Sequence, residues 1–227
     1  MGHPYFWASG LVPGLDSVSE IKQTMNTMLF ASPVLGFALP DADSLNAELM
    51  KASNERRATE PGIAVSNQLG WHSDYDLFTR PEPAFRVLSG HLSAILLHVS
   101  RLSMPGFDAS LHDIQGQGWI NINGTGGFNT PHDHSGFHWS GVYYVSVPPA
   151  PQGRSGLIEF LDPRGATGMK GLEGGEFFAS KFQIRPVAGH TIVFPSYLRH
   201  WVYPNQEAEE RVSIAFNARI VSRTQAA

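Results

Sequence analysis

The chain has 227 residues, 42% hydrophobic and 16% charged, so it can bury one large core and is no disordered polymer. Its formal charge is −4 with no Lys/Arg block, which gives no reason to expect nucleic acid as a partner. Cysteine is absent, which excludes disulfides, thiolate metal sites, iron–sulfur clusters and thiol nucleophiles together and leaves nitrogen and oxygen to hold any metal.

Residues 1–27 read as a leader ahead of a single domain over 28–227, with Met25 or Met28 as an alternative start. The first residues lack the basic start and long apolar stretch of a signal peptide, and no apolar run reaches the length of a membrane span. The expected compartment is therefore the cytoplasm. "MLFASPVLGFALP", Met28–Pro40, predicts a strand closed by proline. "DADSLNAELMKASNERRAT" predicts a helix capped by Asp43 or Ser44, with Leu45, Leu49 and Met50 as its apolar stripe. "PGIAVSNQLGWHSDYDLFTRPEP" has the turn residues of a long loop, and loops of that length are usually functional, which makes Trp71 and His72 candidate substrate walls.

"PAFRVLSGHLSAILLHVSRLSM" carries Phe85, Val87, Leu88, Leu92, Ile95, Leu96 and Val99 at helical spacing, and His91 and His98 on it read as ordinary packed or surface histidines. The helical part thus covers about 41–103. From Gln115 the pattern changes to short β-branched and aromatic runs: "GWININ", "WSGVYYVSV", "SGLIEFLD", "FQIRPV", "TIVFPS" and "RVSIAFNARI". Together these predict a mainly β, α+β architecture, with a sandwich or barrel core over about 115–220 and the helices ahead of it. "GTGG", Gly124–Gly127, precedes no helix and reads as a turn, not a phosphate loop.

"TPHDHSGFHWSGVYYV", Thr130–Val145, crowds three histidines where a strand begins. On extended backbone the side chains of His132 and His134 share a face and Asp133 points away, so the pair can bite one metal ion. The best third ligand is His200 in "FPSYLRHWVYP", read as closing a strand. Arg211 opens the last strand, and Ser213 and Asn217 share its face by alternation. A buried face carrying Arg, Ser and Asn is costly unless a polar ligand satisfies it, and the Arg fork matches a carboxylate. Of Tyr143 and Tyr144, one faces the cavity, and Tyr143 is assigned there. His138 reads as a supporting or surface residue, His190 as a turn residue, and Asp162 with Arg164 as a structural ion pair.

These motifs resemble the 2-oxoglutarate/Fe(II)-dependent dioxygenases, and within them a bacterial and phage family. The residues carrying the likeness are Trp119–Asn121, Pro131–His134, Ser140–Val145, Asp162–Arg164, Phe194–His200 and Arg211–Asn217, with "LFASPV", "LNAEL" and "GWHS" upstream. The likeness runs from about Leu29 to Ile220. It implies a double-stranded β-helix, or cupin-like jelly-roll, with N-terminal helices packed against it. It also implies Fe(II) held by His132, His134 and His200, and 2-oxoglutarate as cosubstrate with its distal carboxylate on Arg211 and Ser213. Asn121, Asn123 and Tyr143 are the further residues it places near the cosubstrate. The implied reaction is hydroxylation of an unknown small molecule or protein, with release of succinate and CO2.

The sequence departs from the superfamily's His-x-Asp/Glu…His triad, because His134 stands at the carboxylate position. Asp133 supplies a carboxylate only if the backbone leaves extended geometry. Two alternatives stay open: a three-histidine iron dioxygenase that does not use 2-oxoglutarate, and a non-catalytic cupin-like protein binding a metal or a carboxylate. Exposed sheet edges leave homo-oligomer formation open as well.

Overall fold

The computed structural model describes residues 25, 31–149, 151–164 and 179–223. The chain divides into two compact units, Met1–Ala31 and Ser32–Ala227, and the second carries every element below. The leader read over 1–27 lies outside the described residues, Met25 apart.

Among the described residues there are nine strands: β1 Leu35–Ala38, β2 Asn67–His72, β3 His112–His132, β4 Trp139–Ser146, β5 Ile158–Leu161, β6 Lys181–Ile184, β7 His190–Pro195, β8 His200–Val202 and β9 Arg211–Ser222. Two helices, α1 Ala42–Thr59 and α2 Pro83–Ser103, come before β3. The strands form one antiparallel sheet in the order β1-β7-β4-β9-β3-β8-β5-β6, with β2 also on β3. This is the curled sheet of a jelly-roll, mostly β with few helices.

Strand β3 turns the corner of that sheet. It pairs with β9 from His112 to Asn123, then with β8 from Asn129 to His132. Strand β2 follows it through the bend, with a register shift between Gln68 and Gly70. Leu69 lies in the left-handed region at φ 53 and Gly126 at φ 82, and these two positions supply the backbone reversal. The "GTGG" stretch, expected as a turn before a separate metal strand, is therefore a bulge inside one strand of 21 residues. Its flanks stay hydrogen-bonded to β2, so the chain bends without leaving the sheet.

Each strand separates two cores by period-two alternation. Tyr143 and Val145 of β4, Val212, Ile214 and Phe216 of β9, and Ile120 and Ile122 of β3 pack on one face with Leu49 of α1 and Phe85, Leu88 and Leu92 of α2. Val142 and Tyr144 face the other way, onto Ile158, Phe160, Phe194 and Val202. The odd-numbered residues of β9 and of the first arm of β3 share this inner face, and they carry the chemistry.

Three elements differ from the reading of the sequence. The first strand spans only Leu35–Ala38, and residues 28–30 of the expected run lie outside the described residues. Helix α1 starts at Ala42 after Asp41, whose φ of 49 allows no side-chain cap bond, so neither Asp43 nor Ser44 caps it. Its buried stripe is Asn46, Leu49, Ala52, Ser53 and Arg56, with Leu45 and Met50 only half-buried. The expected long loop contains β2 and a 3-10 turn at Leu77–Thr79. Strand β2, "NQLGWH", has no β-branched residue, and it is the free edge of β3 that makes it extended. Among the described residues no helix is long and apolar enough to cross a membrane.

Candidate metal centre

His132 and His200 are direct cross-strand partners between β3 and β8, so their side chains share the inner face. His200 opens β8 instead of closing a strand. His134 lies just past the end of β3, where its backbone N–H donates to the Ser196 carbonyl at 2.9 Å and ties it to the turn before β8. The three ring centroids stand 4.5 Å (132–200), 4.9 Å (132–134) and 5.3 Å (134–200) apart. One ligand nitrogen from each ring can be chosen so that all lie within 4.8 Å of one another.

Two of the rings are oriented by the same local device. The Nδ1–H of His132 donates to the Thr130 carbonyl at 2.6 Å, and that of His200 to the Leu198 carbonyl at 2.8 Å. Each bond spends Nδ1 on a carbonyl two residues back and leaves the Nε2 lone pair for a metal. Burial, the larger cause, and the neighbouring His132 push His200 down to about 3 and His134 down to about 4. Burial also lowers His132. All three imidazoles are thus neutral at neutral pH, the form that binds a metal.

Asp133 is exposed, and its carboxylate accepts from the Ser135 hydroxyl at 2.6 Å and the Ser135 N–H at 3.2 Å. These bonds hold it below the usual carboxylate range and turn it away from the cluster. The donor set is three neutral nitrogens, with Nε2 of His132 and His200 unspent. It fits a divalent borderline metal such as iron, and the three rings line one cavity with Trp119, Asn121, Arg211 and Ser213.

Arg211 is only 2% exposed, yet among the described residues no carboxylate pairs with it. One NH group donates to the Ser213 hydroxyl at 3.1 Å, the guanidinium carbon lies 5.2 Å from the Tyr144 ring centroid, and Nε has no partner. Burial pushes its pKa down while Tyr144 opposes the shift. A buried guanidinium in this condition has the charge and free donor to suit an anion.

The residues expected around it divide. Asn121 is buried and lines the cavity with Oδ1 unpartnered. Asn123 is buried one step further from the cavity, and its amide N–H donates to Asn129 Oδ1 at 3.2 Å. Tyr143 is on the wrong face: its hydroxyl donates to Asn46 Oδ1 at 2.6 Å within the helix-side core. The tyrosine beside Arg211 is Tyr144, because Tyr144 is the cross-strand partner of Ser213 and Tyr143 that of Ile214. Asn217 accepts from the Ser140 hydroxyl at 2.7 Å.

Trp71 turns towards the helix-side core and donates its indole N–H to the Glu60 carbonyl at 3.1 Å. His72, on the opposite face of β2, is buried and stacks on Trp119 at 5.5 Å. His138 is exposed and accepts the Ile220 N–H at 3.0 Å, and Asp162 pairs with Arg164 at 2.6 Å. Sequence reasoning missed Ser66 and Asn129, which also line the cavity. Asn129 continues the alternation of Asn121 and Asn123 across the bulge; Ser66 has no local signal.

Residues 117–217 match the family model described as "Putative 2OG-Fe(II) oxygenase". The match spans 101 of the chain's 227 residues. The matched segment runs from the first arm of β3 into β9 and so contains the three histidines, Asn121, Arg211 and Ser213. Enzymes of the family so described use Fe(II) and 2-oxoglutarate.

Among solved structures, a Pseudomonas putida prolyl-4-hydroxylase aligns with 83% of this chain and 92% of its own, at 21% identity and a TM-score of 0.58. A Trichoplax adhaerens prolyl hydroxylase, bound to a peptide of the hypoxia inducible factor oxygen degradation domain, aligns with 82% of this chain and 83% of its own, at 15% identity and 0.58. The epimerase SnoN, in complex with Fe3+, alpha ketoglutarate and nogalamycin RO, aligns with 85% and 82%, at 12% identity and 0.60. At these identities the likenesses establish the fold alone. No curated protein matches the chain.

Proposed function

We propose that the chain is an Fe(II)- and 2-oxoglutarate-dependent hydroxylase in which His132, His134 and His200 hold the iron and Arg211 with Ser213 receives the distal carboxylate of 2-oxoglutarate. One observation carries this reading. Three neutral imidazoles and an uncompensated buried guanidinium line the same cavity. Each half alone has an ordinary structural explanation. Together they suit a molecule that chelates a metal at one end and carries a carboxylate at the other.

Iron bound there would supply oxygen activation coupled to decarboxylation of the cosubstrate. The chain's own residues do the positioning. The Thr130 and Leu198 carbonyls hold two ligand rings, and the Ser213 hydroxyl, which accepts from Arg211, keeps its own proton for the carboxylate. Tyr144 and the inner core shield the guanidinium from water, which strengthens its bond to the anion. Asn121 stands at the cavity wall with an acceptor free for a donor on the substrate or on a metal-bound water. The three-histidine dioxygenase without 2-oxoglutarate leaves Arg211 unexplained.

The substrate is a small molecule or a protein side chain, and a chain without cysteine suits the reducing cytoplasm. Fe(II) is added to the metal-free protein without oxygen, followed by 2-oxoglutarate, and the visible charge-transfer absorption of the chelate is titrated. The wild type develops the band. Arg211→Ala keeps the iron but weakens 2-oxoglutarate at least about 30-fold, as expected for removing one partner of a buried charge pair. Iron binding with no spectral response to 2-oxoglutarate would sink the proposal in favour of the second reading.

A further inference from the structure

The inner side of the β3 corner carries polar groups that neither the histidines nor Arg211 use. Asn123 is the cross-strand partner of Arg211, so the two side chains stand next to each other on the inner face. The Asn123 amide N–H donates to Asn129 Oδ1 at 3.2 Å, across the bulge at 124–127. Asn129 in turn donates through Nδ2 to the Ser66 hydroxyl oxygen at 3.3 Å. The chain of bonds therefore starts beside Arg211, crosses the corner and ends on Ser66.

Both ends are fixed. The Ser66 carbonyl accepts from the Thr130 N–H at 2.9 Å and from the Thr130 hydroxyl at 3.3 Å, so its backbone is pinned to the second arm of β3. Asn205 donates to the Asn123 carbonyl at 3.1 Å. At Gly70 a Cβ would occupy the space of the Asn123 amide, so a glycine on β2 is what admits that side chain.

Ser66 lines the same cavity as Arg211, and its oxygen already accepts a hydrogen bond. Its proton has no acceptor among the described residues and is left to donate into the cavity. A hydroxyl held this way adds a donor to the cavity that the Arg211 guanidinium also lines.

We propose that Ser66 is a further binding residue for the distal carboxylate of 2-oxoglutarate, positioned by the Asn123–Asn129 amide chain, so that a segment ahead of α2 completes the anion pocket of the jelly-roll. This rests on the 2-oxoglutarate reading above. It concerns cosubstrate affinity only, since Ser66 is not a ligand of the iron.

The test is the anaerobic Fe(II) and 2-oxoglutarate titration on wild type, Ser66→Ala and Ser66→Thr, with iron affinity and melting temperature measured beside it. Ser66→Ala is expected to raise the 2-oxoglutarate dissociation constant about tenfold, the loss of one hydrogen bond to a charged group. Iron affinity stays as in the wild type, and Ser66→Thr restores most of the cosubstrate affinity. A purely structural Ser66 would lower the melting temperature and leave that dissociation constant within about twofold of wild type, and this outcome overturns the proposal. A wild type that binds iron but gives no 2-oxoglutarate band overturns this proposal and the reading beneath it. A normal wild type with an unaffected Ser66→Ala overturns only this one.

Discussion

Nδ1 of His132 and of His200 is committed to a carbonyl two residues back, so each ring reaches the cavity with one free nitrogen and little freedom to turn. Among the described residues the His134 ring makes no bond of that kind, and the residue is placed by its backbone bond to Ser196. It also stands where the superfamily carries a carboxylate. His134→Asp is therefore expected to retain Fe(II) binding and His134→Ala to weaken it by about 10–100-fold or more, read by anaerobic titration with a chelator as competitor. Tyr143 gives the converse test. Tyr143→Phe should cost about 1–2 kcal/mol in urea denaturation, because Asn46 loses its donor, and leave 2-oxoglutarate affinity unchanged. A weakened cosubstrate would mean that the hydroxyl reaches the cavity after all. The closeness of His132 and His134 was legible because it depends only on near neighbours along the chain. Which of two adjacent tyrosines faces inward was not, since alternation gives two phases and only the pairing with β9 selects one.

Among the elements, β3 does the most to assemble the site. Its first arm presents Trp119 and Asn121, its second presents His132, and the corner between them lets Trp119 approach His134 to 5.7 Å. The corner concentrates its strain in Leu69, which is 81% exposed at φ 53. Leu69→Gly removes a left-handed penalty and loses no buried contact. It is expected to leave stability within about 1 kcal/mol of wild type or raise it.

Strand β4 shows the opposite constraint. A Cβ at Gly141 would press into the Phe216 ring and lie 2.7 Å from the Ile192 carbonyl oxygen, because three strands meet there at full packing. Gly141→Ala should destabilise by about 1–3 kcal/mol, measured by thermal or urea unfolding. The strongly apolar strands were legible one by one. Strand β2 and the unbroken β3 were not, because an edge partner supplied hydrogen bonds that no propensity in "NQLGWH" or "GTGG" announces.

At the scale of the whole molecule, the arm of the sheet that carries His200 has its outer face held by one buried carboxylate. Glu159, 1% exposed, accepts from Trp201 at 2.9 Å, Gln183 at 2.5 Å and Tyr203 at 2.8 Å, and pairs with Lys181 at 3.2 Å. Burial alone would raise its pKa; these bonds outweigh it and bring it down to about 2. A depressed carboxylate contributes stability above its unfolded value of about 4.5 and loses it as pH falls towards 2. Glu159→Gln should therefore be less stable than wild type at pH 7, with the gap closing as pH drops through that window. A gap independent of pH would refute the linkage. Metal binding couples to the same fold, since the histidines come from both arms. Iron at about 100 times its dissociation constant should raise the melting temperature by about 5–10 °C in wild type and not in His132→Ala.

The sequence alone determined what depends on near neighbours along the chain: two helices, the alternation of the strong strands, the His132–His134 pair, and the absence of any thiolate ligand. It also marked Arg211, Ser213 and Asn217 as polar residues on a face that should be buried. The tertiary structure decided what depends on who stands across the sheet. It set His200 opposite His132, gave Tyr144 and not Tyr143 to Arg211, and drew Ser66 and Asn129 into the cavity around a bent strand. The reason is physical: alternation fixes relative facing within a strand, whereas register and corner geometry are set by hydrogen bonds to residues far away in sequence.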